Sequence, residues 1–309
     1  MKKTLRQDEK NGGESVKRNR ELKEVIGQFI RTDGTQETAI PGLRFIRTSK
    51  ISEPVYSVYE PSLCIVAQGS KVVMLAKESF QYDPASYLTA SVHLPIMGQV
   101  VEASPEIPYL SLQLQLDMNQ VLDILQSSDQ SWSSKSESRR GLVISRMGDS
   151  LLDAVLRLVL LLDTPQDIPV LSTGLNREII YRLLQDEQNE TLKHFALIGS
   201  QAQRIAKVIK RLNFTFDQPI RVEELAEEVR MSASSFYSYF KEVTGMSPIQ
   251  YQKQLRLQEA RRLLFIGELN AAEASFHVGY ESPSHFSREY TRKFGLPPMQ
   301  DLQRLRETL

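Results

Sequence analysis

Cysteine is almost missing from this chain of 309 residues: a single thiol, Cys64, permits neither an intrachain disulfide nor a cysteine-built zinc site. Histidine is scarce too. His93, His194, His277 and His285 are far apart in sequence, so no metal centre and no cofactor are expected. Net charge is nil, with 38 Lys and Arg against 38 Asp and Glu, which excludes overall basicity as a route to nucleic acid. Any DNA-binding surface must be local. No apolar run reaches the roughly 18 residues a membrane span needs; the longest, Leu151 to Leu162, is interrupted by Asp153 and closed by Asp163. Met1-Lys2-Lys3 leads into RQDEKNGGESVKRNR and not into an apolar stretch, so a secretion signal is not expected and a cytoplasmic protein is. There is no HExxH, glycine-rich phosphate loop or nucleophile motif, and catalysis is not expected.

What is present divides into an α+β plan. Residues 1–20 are polar and contain Gly12-Gly13, which reads as a disordered tail. A short helix is expected from Glu21, where Leu22, Val25, Ile26 and Phe29 recur at helical spacing. From Pro41 to Leu116 the texture is β: LRFIRTS, PVYSVYE, SLCIVAQGS, KVVMLAK, ESFQYDP, SYLTAS, LPIMGQVVEAS and YLSLQLQL, broken by turn residues, as in an antiparallel barrel or sandwich. In the last run Leu110, Leu112, Leu114 and Leu116 alternate with Ser111, Gln113, Gln115 and Asp117, the signature of a half-buried strand. A helical region is expected over 118–188. Its stripe of Leu151, Leu152, Val155, Leu158, Val159 and Leu162 suits either packing inside the domain or a helix contact between two copies. A domain over 21–190 and a linker at 191–199 would then precede a second domain, 200–309.

That second domain contains an internal repeat. LAEEVRMSASSFYSYFKEVTGMSP returns as ASFHVGYESPSHFSREYTRKFGLPP, pairing Phe236 with Phe286, Phe240 with Tyr290, Gly245 with Gly295 and Pro248 with Pro298. Before the turn the offset falls from 50 to 49, pairing Ala226 with Ser275 and Val229 with Val278. Small residues at the first pair allow two helices to approach closely, and Val fills the angle between them. Ser232 and Ser282 stand where hydroxyls can cap the second helix of each unit. SPIQYQKQLRLQEARRLLF would hold the two units apart. Each is thus a helix-turn-helix whose second helix can enter a major groove.

Ser234, Tyr237, Ser238 and Lys241 would face outward in the first unit, and Ser284, His285, Ser287, Arg288 and Arg292 in the second. Arg288 is the strongest base reader, because guanidinium can donate two hydrogen bonds to guanine. Residues 200–309 carry 16 basic and 13 acidic groups, 16 − 13 = +3, against 22 − 25 = −3 for the rest.

VGYESPSHFSREYTRKFGLPP, with its weaker partner unit, resembles the AraC/XylS family of bacterial transcription regulators over about 200–305. The resemblance implies base contacts by Ser234, Tyr237, Ser238, Ser284, His285, Ser287 and Arg288; Ser232, Lys241, Arg256, Ser282 and Arg292 are expected on phosphates. PSLCIVAQGSKVVML and SYLTASVHLPIMGQV resemble the N-terminal domain of a subgroup that includes the aldehyde-responsive activator of an aldehyde reductase gene. That implies a cupin-like antiparallel β barrel with accessory helices, ahead of the all-α domain with two helix-turn-helix units. Its expected partners are promoter DNA, a small-molecule effector, RNA polymerase and a second copy, with no membrane. Cys64, Val66, Met74, Tyr87, His93 and Met97 are the candidate effector-pocket residues. A domain that serves dimerisation or protein interaction without a small-molecule effector is the other reading. Cys64, in the apolar run LCIV, is either a buried inert thiol or a reactive sensor.

Overall fold

The computed structural model describes residues 2–127, 140–197, 200–267 and 269–307, and their side chains except at 2–15 and 187. Apart from Tyr56–Val58, it divides into two compact units, up to Gln203 and from Arg204.

The first unit opens with α1 (Lys2–Phe29), so the expected disordered tail is the first part of a helix that the ELKEVIGQF segment completes. Leu22, Val25 and Ile26 are buried, as their spacing requires. Strands β1 (Gly34–Glu37), β2 (Leu43–Thr48), β3 (Val55–Tyr59), β4 (Ser62–Gln68), β5 (Ser70–Leu75), β6 (Glu78–Tyr82), β7 (Ser86–Ala90), β8 (Leu94–Glu102) and β9 (Tyr109–Gln115) follow, with β10 (Leu142–Arg146) later in the chain. They form a six-stranded sheet, β1-β2-β9-β4-β7-β10, and a four-stranded sheet, β3-β8-β5-β6.

The expected barrel is not formed. The larger sheet ends on β1 and β10 and the smaller on β3 and β6, and no ladder joins these edges among the described residues. The chain leaves one sheet for the other at Gly69 (φ +83°), where a Cβ would stand 2.4 Å from the Glu102 carbonyl oxygen. Ladder irregularities at Val66/Gln68 and Ser70/Lys71 flank the crossing, so β4 continues into β5 without pairing with it. Alternating residues and turn spacing specify strands, but not whether the outer strands meet.

On the larger sheet Phe45, Leu63, Ile65, Leu110, Leu112 and Leu114 share a core with α1 and the later helices. The opposite face of β9 departs from the half-buried expectation: Ser111 and Gln113 are buried as well. A second sheet, not solvent, covers them.

Helix α2 (Met118–Ser127) begins the helical region, but β10 then interrupts it by pairing antiparallel with β7. LVISR is too short to show its strand character by periodicity. In α3 (Asp149–Leu160) the apolar stripe is buried within the unit, in one core with residues of α1 and of α4 (Ile168–Gln185), so it serves the domain's own packing. The expected linker is largely helix as well. α5 (Glu190–Ala196) buries Leu192, Phe195 and Ala196, while 198–199 lie outside the described residues. No helix among the described residues is long and apolar enough to cross a membrane.

The second unit is all helical: α6 (Gln201–Phe214), α7 (Val222–Glu228), α8 (Ala233–Thr244), α9 (Pro248–Ile266), α10 (Ala271–His277), α11 (Pro283–Phe294) and α12 (Pro298–Glu307).

Candidate nucleic-acid interface

The repeat read from the sequence is a repeat of backbone geometry. After α7 the amide of Met231 donates to the Ala226 carbonyl at 2.9 Å, and after α10 that of Tyr280 donates to Ser275 at 2.9 Å. The left-handed residue in these turns is Arg230 (φ +54°) in the first and Gly279 (φ +84°) in the second. Ser232 Oγ accepts from the Ser235 amide and Ser282 Oγ from the His285 amide, so each recognition helix starts on a hydroxyl cap, an arrangement worth about 1 kcal/mol. Gly245 and Gly295 end them, each donating its amide back over one turn at 2.8 Å. Ser275, buried where two helices meet, satisfies its hydroxyl on the Ala272 carbonyl at 2.7 Å.

These locks aim the polar faces outward. Phe236, Tyr239, Phe240 and Val243 are buried under α8, while Ser234, Tyr237, Ser238 and Lys241 are exposed on it. On α11 Phe286 and Tyr290 are buried, and Ser284, His285, Arg288 and Arg292 are exposed, with Ser287 half-buried. Arg288 makes no hydrogen bond or ion pair among the described residues, so its guanidinium is available to a ligand.

Two buried carboxylates, which the sequence reading missed, organise the cations around α11. Glu289 accepts from Lys253 Nζ at 2.9 Å, Arg292 at 2.6 Å and the Tyr280 hydroxyl at 3.3 Å, with His285 Nε2 3.8 Å away. Burial raises its pKa, but Lys253, Arg292 and His285 more than offset that, and the net value lies below the ordinary carboxylate range. The signal was legible: His285 and Arg292 stand four residues before and three after Glu289, on one helical face. Asp301, fully buried at the start of α12, accepts from Arg261 Nε at 2.7 Å and Tyr290 Oη at 2.9 Å. Its distance from both partners in sequence hid this cluster.

Arg256 departs from the phosphate role expected of it. Its guanidinium donates to the carbonyls of Phe216 (2.7 Å), Gly279 (2.7 Å), Asp217 (3.0 Å) and Gln218 (3.1 Å). It fastens the 216–218 loop to the second turn, with four of its five N–H donors engaged inside the protein.

The six candidate effector residues are not brought together. Cys64 and Val66 lie on the β4 face turned away from Leu63 and Ile65, toward the smaller sheet. Met74 and Met97 pair with each other on the outer side of that sheet, opposite buried Val73 and Ile96. Tyr87 faces the helices, donating to Asp186 Oδ2 at 2.6 Å and accepting from Asn189 at 2.9 Å. His93 lies in the connection before β8. Cys64 is buried, and burial pushes its thiol up to about 11, a setting for an inert thiol. Iodoacetamide at pH 7.5 is expected to leave the native protein unmodified and to alkylate it in denaturant; rapid native labelling on mass spectrometry would contradict that burial.

A chain with two such turns and two outward polar helices is of the helix-turn-helix DNA-binding class. Residues 225–304 match a helix-turn-helix domain family, and 39–191 match the AraC-type transcriptional regulator N-terminus. The chain belongs to the AraC/XylS family of transcription regulators. It is 30% identical over 136 residues to the HTH-type transcriptional regulator GbdR of Pseudomonas aeruginosa, an alignment covering 43% of this chain and 36% of that protein. The chain thus spans only about a third of that relative's length. To the lactose operon transcription activator of Staphylococcus xylosus it is 26% identical over 248 residues, 77% of this chain and 82% of the other. In fold it resembles ToxT from Vibrio cholerae, solved with an unsaturated fatty acid bound, with a TM-score of 0.55 at 12% identity over 88% of this chain and 97% of that one.

Proposed function

We propose that this protein binds promoter DNA with α8 and α11 in successive major grooves, and that a small molecule in its first unit gates transcription activation. One observation carries the DNA reading: two capped helices with matched turns present exposed polar faces, Ser234, Tyr237 and Ser238 on one and Ser284, His285, Ser287 and Arg288 on the other. They are joined by the 19-residue α9. Arg288 donates both guanidinium hydrogen bonds to a guanine edge. Ser232, Lys241, Ser282 and Arg292 hold phosphates, which set position and not sequence. Arg256 takes no part.

The fatty acid carried by the fold relative ToxT, and the resemblance of two N-terminal segments to the aldehyde-responsive subgroup, support a small-molecule effector. Burial of the α3 stripe inside its own unit removes the main argument for a purely dimerising domain. RNA polymerase is the output partner and a second copy the companion on DNA, in the cytoplasm.

Fluorescence anisotropy with the chain's own upstream intergenic DNA and a scrambled duplex tests this reading. Wild type is expected to prefer the former. Arg288→Ala should weaken specific binding by about 1–3 kcal/mol, roughly 5- to 150-fold, and scarcely change binding to scrambled DNA. An unchanged preference would remove Arg288 from base reading.

A further inference from the structure

Glu289 stands inside the stripe that α11 turns outward. His285 lies four residues before it and Arg292 three after it, and Arg288 lies beside both at helical spacing. An acid on a face meant for DNA is out of place, and the first unit has none there: the repeat puts Tyr239 at the matched position and Glu242 where Arg292 stands. Yet the Glu289 side chain is only 7% exposed, whereas Arg292 is 71% and Lys253 36% exposed. The carboxylate lies beneath its cations, and the cations face solvent.

Lys253 comes from α9, the helix that joins the two helix-turn-helix units. Its ammonium stands 2.9 Å from each Glu289 oxygen, and Arg292 Nη2 donates to Oε1 at 2.6 Å. Because both bind Oε1, the two nitrogens can be no further apart than these bonds laid end to end, a span that two oxygens of one phosphate bridge. Two positive charges against one negative leave one in excess. Among the described residues neither cation has another carboxylate within ion-pair distance.

The carboxylate is itself held. The Tyr280 hydroxyl donates to Oε2 at 3.3 Å, and the Tyr280 ring meets His285 and Phe286 edge-on, with centres 5.7 and 5.3 Å apart. A lysine and an arginine free in solvent lose rotamer freedom when they meet an anion. Here folding has already taken much of that loss, and it brings a cation of α9 onto the stripe of α11 that carries Arg288.

We propose that Glu289 is a positioning residue of the DNA-reading surface: it fixes Lys253 and Arg292 as a paired seat for one backbone phosphate beside the groove that α11 enters, which makes Lys253 a DNA contact. This rests on the reading that α11 lies in a major groove. Phosphate contacts set where a protein sits on the duplex, and a seat built from two helices sets the depth and register at which Arg288 meets its base.

The test is fluorescence anisotropy of the full chain against its own upstream intergenic DNA and a scrambled duplex, at salt from about 50 to 200 mM. Lys253→Gln should weaken binding to both duplexes alike, by roughly tenfold, and reduce the slope of log K against log salt by about 0.9, the share of one phosphate. Lys253→Arg should restore affinity and slope. Glu289→Gln removes a negative charge and keeps both cations, so it should bind the scrambled duplex at least as tightly as wild type and lose roughly five- to tenfold of the preference for the intergenic DNA, since the phosphates still attract but no longer fix the register. The assignment is overturned if Lys253→Gln keeps the wild-type slope, if Lys253→Arg does not restore it, or if Glu289→Gln weakens both duplexes equally, as loosened helix packing would. Arg288→Ala separates the two readings. Its loss of preference beside an unchanged Lys253→Gln slope removes the seat alone, whereas a wild type without any preference removes the regulator reading and the seat with it.

Discussion

Gly279→Ala is expected to cost the second unit on the order of 3 kcal/mol or more, enough to abolish specific DNA binding at 37 °C. Gly279 lies at φ +84°, and a Cβ there would stand 2.0 Å from the Asp217 carbonyl oxygen. Strained backbone alone costs about 1–3 kcal/mol at a non-glycine residue. The overlap adds to this because the loop cannot retreat: Gln252 Nε2 donates to the Phe216 and Gln218 carbonyls, and Arg256 holds the three carbonyls of 216–218 together with that of Gly279 itself. Urea unfolding followed by far-ultraviolet dichroism measures the cost, and a change under 1 kcal/mol would refute this account. The matched position in the first unit supplies the converse. Arg230 holds φ +54° with a side chain, so Arg230→Gly should cost nothing or stabilise by up to about 1 kcal/mol.

Asp301→Ala should destabilise the same unit by about 3–5 kcal/mol, because it leaves the Arg261 guanidinium, only 12% exposed, without its partner. Asp301 bonds Arg261 through both oxygens, at 2.7 and 3.1 Å, and also accepts from Tyr290 and Arg304. Burial by itself raises the Asp301 pKa; the hydrogen bonds and charge of Arg261, with Tyr290 and Arg304, override it and bring the value below the ordinary range. A depressed folded-state pKa means that the contribution is full above the unfolded value of about 3.9 and fades as pH falls toward the folded one. Wild type should therefore lose stability below about pH 4 more steeply than Asp301→Ala, which has already lost this pair. Parallel acid-unfolding curves for the two proteins would contradict the assignment.

Local signals carried the recognition of the second unit. Ser232, Ser282, Gly245, Gly295 and the 3.6-residue spacing of Phe236 with Phe240 and of Phe286 with Tyr290 act within one or two helical turns, so they can be read in order along the chain. Arg256 shows where this stops. In sequence it is one more cation on an amphipathic helix, and its four carbonyl partners lie 23 to 40 residues away. Glu289 was half-legible, because two of its cations are on its own helix and the third, Lys253, is on α9.

In the first unit the eight β runs from LRFIRTS to YLSLQLQL all became strands, because alternation and turn residues act over a few positions. Sheet membership did not follow from them. β4 and β5 adjoin in sequence yet belong to different sheets, and the polar face of β9, which alternation alone would leave to solvent, is covered by strands that pair with each other and never with it. The amino-acid order thus marked the eight strands between Leu43 and Gln115, the repeated helix-turn-helix and the class of protein, since each depends on neighbours a few residues apart, whereas β10 and the helical course of 2–20 escaped it. Only the tertiary structure decided which strands close a ladder, which arginine is tied to distant backbone carbonyls and which buried carboxylates gather cations from other helices. Those outcomes depend on which distant groups share a volume from which water has been displaced, and no window of sequence contains them.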